Sequence, residues 1–164
     1  MRIINLETIY KNYFRKKNKD PVLKAIEKIP IFETLSYKEL KNIAHLTHER
    51  NYKLNEYVFK KHAPAEGMYV ILDGEIEIKD PDSGNIYAKL HEGDFFGELA
   101  LLDEEPRSAS AISIKTSRLI GFFRTDLLTL IKRYPDLGNK ILLNLARVLG
   151  ERLRKTNKEL TNSK

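Results

Sequence analysis

The chain has 164 residues, 41% hydrophobic and 32% charged, with no cysteine and a net charge of +6. That is enough apolar material for one packed domain with helical appendages, which excludes wholesale disorder, and the missing thiols exclude disulfides, thiolate metal sites and cysteine nucleophiles. No apolar run reaches the roughly 18 residues of a membrane span and the N-terminus lacks a secretory-signal pattern, so the expected location is cytoplasmic.

In chain order, Ile3, Leu6, Tyr10, Tyr13 and Phe14 recur at helical spacing among lysines and arginines. This predicts an amphipathic helix over residues 2–17, within an N-terminal segment spanning 1–28. Asp20-Pro21 caps a second short helix through Lys28. Ser36-Tyr37-Lys38-Glu39 has the form of a capping box, because the Ser36 hydroxyl and the Glu39 carboxylate can each satisfy an orphan backbone donor.

From Arg50 to Phe123 the pattern becomes short runs rich in β-branched and aromatic residues: EYVFKK, GMYVIL, GEIEIKD, NIYAKL, SASAISI and SRLIGFF. DPDSGN reads as a hairpin turn and Asp73-Gly74 as a tighter corner. Helical period returns in TDLLTLIKRY, which ends at Pro135. Beyond it Leu137, Ile141, Leu142, Leu145, Leu149 and Leu153 form a stripe on a helix expected to run to about Leu160, with a frayed tail at 161–164. The expected class is α+β, mainly β: a double-stranded β-helix (jelly-roll) barrel flanked by N-terminal helices and a long C-terminal helix. The domain itself is placed at 29–160.

The basic charge lies at the ends. Residues 1–20 carry six Lys or Arg against two acids, and residues 140–164 carry seven against two. Solvated faces of terminal helices explain this, with a nucleic-acid or anionic-membrane partner as the alternative.

The stretch GDFFGELALLDEEPRSASA, residues 93–111, carries the candidate site. Gly97 opens a sharp turn into one or two helical turns, whose first backbone amides suit an anion. Arg107 adds a charged donor fork that matches phosphate oxygens, and Ser108 a hydroxyl beside it. Glu98 is an acceptor-only group, suited to a sugar hydroxyl next to the phosphate. Phosphate plus sugar hydroxyl means a nucleotide, and a single arginine suits the single charge of a cyclic phosphodiester. Bare spacing leaves open a surface ion pair between Glu98 and Arg107.

The same segment resembles the phosphate-binding cassette of the cyclic-nucleotide-binding domain family, of the catabolite activator and protein kinase A regulatory subunit type. The resemblance rests on Phe96-Gly97-Glu98-Leu99-Ala100-Leu101-Leu102 and Pro106-Arg107-Ser108-Ala109, and extends over about residues 30–155. It implies that Glu98 binds the ribose 2′-hydroxyl, that Arg107 binds the cyclic phosphate, and that amides near Gly97, Leu99 and Ala100 complete the cradle. Ser108 looks like a further phosphate or base contact, with Ala109 beside it. Ser108 stands where some members have a guanine-holding threonine and others an alanine, which favours cyclic AMP over cyclic GMP only mildly. Arg152 and Leu153 stand where the bacterial activator presents a threonine–serine pair to adenine. Arg152 stacking on the purine is one expectation and a solvated arginine the other.

No metal and no enzyme activity are expected. His45 and His48 sit three apart on a predicted helix, and with His62 and His91 they fall short of the clustered ligands a metal-dependent jelly roll needs. Phe95 and Phe96 read as core. The expected function is a cyclic-nucleotide sensor whose C-terminal helix moves on binding and signals to a separate effector protein, or to a second copy through the terminal helices. DNA binding by this chain is not expected, since no helix-turn-helix follows the long helix, and membrane association through residues 1–19 is the weaker option. The rivals are a ligand-free scaffold of the same fold and a nucleic-acid adaptor using the basic ends.

Overall fold

The computed structural model describes residues 20–162, so the amphipathic helix expected over 2–17 lies outside the described residues. Helix α1 (Pro21–Ile26) starts where Asp20 Oδ1 accepts the Val22 N–H at 2.9 Å. A 3-10 turn follows at Pro30–Phe32, then helix α2 (Tyr37–His45). The capping box at its start is reciprocal: Ser36 Oγ accepts the Glu39 N–H (3.4 Å) and Glu39 Oε2 accepts the Ser36 N–H (2.7 Å). Both helices turn their apolar stripes inward, burying Val22, Leu23, Ile26, Leu40 and Ile43.

Eight strands follow: β1 (His48–Tyr52), β2 (Tyr57–Phe59), β3 (Gly67–Asp73), β4 (Glu75–Lys79), β5 (Ile86–His91), β6 (Phe95–Phe96), β7 (Ser110–Ser113) and β8 (Ser117–Phe123). They form two antiparallel four-stranded sheets, ordered β1-β8-β3-β6 and β2-β7-β4-β5. This is the jelly-roll sandwich expected from the turn spacing. Strand β3 shows why its run is continuously apolar: Met68, Val70 and Leu72 face the helices, while Tyr69 and Ile71 face the opposite sheet. Alternation by two thus buries both of its faces.

The expected strands omitted β1 and β6. Strand β1 has four of five residues exposed and pairs only with β8 at the sheet edge, so no hydrophobic alternation marks it. His48 opens β1 while His45 ends α2, so the two imidazoles do not share a helix.

Helix α3 (Arg124–Arg133) ends at Tyr134, whose non-helical backbone (φ −138°, ψ 74°) separates it from helix α4 (Pro135–Asn162). A Cβ at Gly138 would lie 2.6 Å from Ile131 Cγ1, so the α3–α4 crossing is closer than any side chain allows. Leu137, Ile141, Leu145 and Val148 anchor α4 in the core. Asn144, buried beside them, donates to the Ile31 carbonyl (3.1 Å) and to Thr34 Oγ1 (2.8 Å). From Glu151 to Asn162 every residue of α4 is exposed, Leu153 and Leu160 included. The helix therefore has a clamped half and a projecting half.

Candidate functional site

Between the β4–β5 hairpin, the turn after β6 and the projecting part of α4 lies a cavity of about 420 Å³. The volume is in the range of small-molecule sites. Ile78, Ala88 and Leu90 make an apolar wall, and all eight residues singled out from sequence line the same space: Gly97, Glu98, Leu99, Ala100, Arg107, Ser108, Ala109 and Arg152.

Gly97 is the pivot. Its backbone is left-handed (φ 75°, ψ 18°), and a Cβ there would stand 2.7 Å from Arg107 Nη1. Both the backbone conformation and the close approach require glycine. The turn it opens, Glu98–Leu101, is a single 3-10 turn, with the Ala100 N–H bonded to the Gly97 carbonyl at 3.2 Å. Leu101 and Ala100 anchor it in the core while Leu99 stays exposed.

Two charges are buried here. Arg107 is 7% exposed and Glu98 4% exposed. Removing a charge from water is expensive unless it is paired and hydrogen-bonded, so the partners decide what the site can do. Arg107 Nη2 donates to the Gly67 carbonyl (2.6 Å) and Nη1 to the Gly97 carbonyl (3.2 Å), while its guanidinium lies 4.0 Å from the centroid of the Phe59 ring. Its Nε is buried and has no hydrogen-bond partner among the described residues. Burial pushes the guanidinium pKa down, against the fields of Tyr69, Glu66 and Glu98. Among the described residues no carboxylate is hydrogen-bonded to it, so its charge is held there by neutral carbonyls and an aromatic face, and it retains capacity for an anion.

Glu98 is partnered from the other side. Its Oε1 accepts from Arg152 Nη1 on α4, and Arg152 Nη2 reaches the Phe95 carbonyl at 3.4 Å. The Arg152 guanidinium also covers the Phe95 ring, 4.7 Å from its centroid. The alternative of a surface ion pair between Glu98 and Arg107 is thereby corrected: both groups are buried, and each has its hydrogen-bond partners elsewhere. Arg152 is half-exposed and engaged, neither free in solvent nor an unpaired platform. Phe96 is buried in the core as expected and Phe95 is half-buried against it; both rings also line the cavity, Phe95 beneath Arg152. Phe59 was missed from sequence, since nothing in EYVFKK distinguishes a ring that backs an arginine from an ordinary strand phenylalanine. Among the described residues no cluster of three or more His, Asp or Glu would hold a metal ion, and no helix is long and apolar enough to cross a membrane.

Comparison with known proteins gives a family profile, "Cyclic nucleotide-binding domain", matching residues 49–134. The chain is similar to the cyclic AMP receptor protein of Thermus thermophilus, at 32% identity over 80% of this chain and 60% of that protein. It is also similar to the cAMP-dependent protein kinase regulatory subunit of Aspergillus fumigatus, at 33% identity over 57% of this chain and 24% of that one. The chain therefore spans less than two thirds of the length of either relative. The crystal structure of a cyclic nucleotide-binding domain from Methylobacillus flagellatus superposes with a TM-score of 0.74 and 26% identity, covering 88% of this chain and 83% of the other.

Proposed function

The chain belongs to the cyclic nucleotide-binding domain family, and from that premise we propose that it is a sensor module for a 3′,5′-cyclic nucleotide, cyclic AMP before cyclic GMP. The observation that carries the reading is Arg107: a buried guanidinium on the cavity wall, held by two carbonyls, with Nε unpartnered among the described residues. Arg107 takes the cyclic phosphate, joined by backbone amides of the 97–100 turn. Glu98 takes the ribose 2′-hydroxyl. The apolar wall of Ile78, Ala88 and Leu90 receives the base, with Ser108 and Arg152 at its polar edge.

Output follows from Arg152. A ligand hydroxyl on Glu98 and the Arg152 guanidinium address the same carboxylate, so binding changes what holds the projecting half of α4 to the barrel. A ligand shifts such an equilibrium only by its differential affinity for the two helix positions. The helix then presents a different surface to an effector protein. This is a binding role, not a catalytic one.

Calorimetric titration of wild type and Arg107→Ala with cyclic AMP, cyclic GMP, cyclic CMP and the linear 5′-monophosphates tests the reading. Binding of a cyclic nucleotide that disappears in the variant is the expected result. At 100 times its dissociation constant the ligand also stabilises the fold by about 2.7 kcal/mol, which a melting curve detects. No binding of any cyclic nucleotide by wild type would leave a scaffold of this fold as the better description.

A further inference from the structure

We infer that Phe59 is a positioning residue for Arg107: its ring fixes the plane of the guanidinium and keeps it dry, so that the arginine meets an anion already oriented. The inference rests on the reading of Arg107 as the phosphate ligand and deepens it by assigning a residue that neither the cassette nor its spacing includes.

The geometry is built by backbone pairing. Phe59 ends β2 opposite Ala111 of β7. Past the end of β2 the chain turns through His62, whose N–H donates to the Arg107 carbonyl at 2.8 Å, while the Arg107 N–H donates to the Ala63 carbonyl at 2.9 Å. Both sides of Arg107 are thus registered on the segment that carries Phe59. The ring–guanidinium separation of 4.0 Å follows from that register.

Phe59 is itself wedged. Its ring centroid lies 5.8 Å from that of Phe96 and 6.1 Å from that of Tyr69, and Tyr69 and Phe96 stack at 5.6 Å. A cation over an aromatic face is attracted by the ring quadrupole, more strongly where water is excluded. The two carbonyl bonds to Nη1 and Nη2 alone would let the guanidinium pivot, and the ring blocks that pivot on one face. Pre-orientation lowers the ordering cost of binding. It acts on the shared phosphate and not on the base.

The test uses the full chain and the variants Phe59→Leu, Phe59→Met and Phe59→Tyr, with folding checked by circular dichroism. Cyclic AMP and cyclic GMP are titrated against each, and the Arg107 Nε–H resonance is followed by NMR without ligand. The expected result is an affinity loss of about tenfold in Phe59→Leu and Phe59→Met, equal for both nucleotides and rescued in Phe59→Tyr. The Nε–H should show an upfield ring-current shift and slow exchange in wild type and Phe59→Tyr only. Wild-type affinity in both non-aromatic variants, a loss in Phe59→Tyr as large as theirs, or a loss confined to one base would overturn the inference. Absence of any cyclic-nucleotide binding by wild type would overturn the function and with it the phosphate role of Phe59, while the resonance would still report whether the ring orients the guanidinium.

Discussion

Arg152 pairs with Glu98 across 54 residues of chain, so the carboxylate at the start of the cassette turn is held by the helix that closes the domain. One ionic contact thereby ties the ligand cavity to the projecting half of α4. Its loss should be visible at both ends.

In Arg152→Ala, Glu98 is left buried without its cationic partner, which destabilises the fold by about 1 kcal/mol, a modest figure because the arginine is half-exposed. Hydrogen exchange of α4 from about residue 149 onward should accelerate while residues 137–148 stay protected, because Asn144 and the buried leucines still hold that half. Exchange mass spectrometry on the ligand-free protein reads this directly. Unchanged exchange beyond residue 149 would show that Arg152 does not hold the helix.

Gly97→Ala should separate the shape of the turn from its chemistry. The added methyl meets Arg107 Nη1 at 2.7 Å in a left-handed backbone, a combined penalty of about 1–2 kcal/mol. Arg107 must give way, since it is the flexible partner. Calorimetry should therefore show at least about tenfold weaker binding of a cyclic nucleotide, whereas a protein that loses stability but keeps full affinity would contradict the close fit.

Asn144 is the polar clamp of the buried half of α4. Truncation to Ala leaves the Ile31 carbonyl and Thr34 hydroxyl without that donor and should cost about 1–3 kcal/mol in urea unfolding. The slope of the transition should not change, because the amount of surface exposed is the same. A midpoint equal to that of wild type would mean that water replaces the side chain without loss.

Acid should weaken the fold through two carboxylates outside the cavity. Hydrogen bonding from Lys140, then from Ser36, lowers the Glu39 pKa from 4.5 to about 2; hydrogen bonding from Lys61 and Ser83 lowers that of Asp80 from 3.8 to about 2. A depressed carboxylate contributes stability that is complete above its unfolded pKa and is lost as pH falls through its folded one. The urea midpoint should hold constant from pH 7 to about 5 and fall between about 4.5 and 2. Glu39→Gln should flatten that fall. A variant that keeps the full acid sensitivity of wild type would show that Glu39 has no part in it.

Much of the architecture was legible because it rests on local chemistry. Asp20-Pro21 and the Ser36–Glu39 box cap helices with their own side chains, β3, β4, β7 and β8 carry the apolar runs of half or wholly buried strands, and β5 shows its Ile86, Tyr87 and Leu90 although most of it is exposed. Strand β1 was not legible, since HERNY is an exposed edge whose existence depends on its partner β8. The helix α4 runs through Asn162, close to the expected end near Leu160, and its last twelve residues are all exposed, with Arg152 reaching back to Glu98 and Phe95.

Local sequence was enough for the caps, the alternation of the main strands, the sharp turn at Gly97 and the presence of one carboxylate and one arginine in a single short segment. Those properties depend on residues a few positions apart. It took the folded chain to show that Glu98 and Arg107 do not answer each other, that Arg107 is held by Gly67, Gly97 and Phe59, and that Glu98 is held by Arg152. Contacts of 40, 48 and 54 residues' separation arise from how two sheets and a helix close on one another, and the energy of a buried charge depends on whichever groups that closure brings within hydrogen-bonding distance.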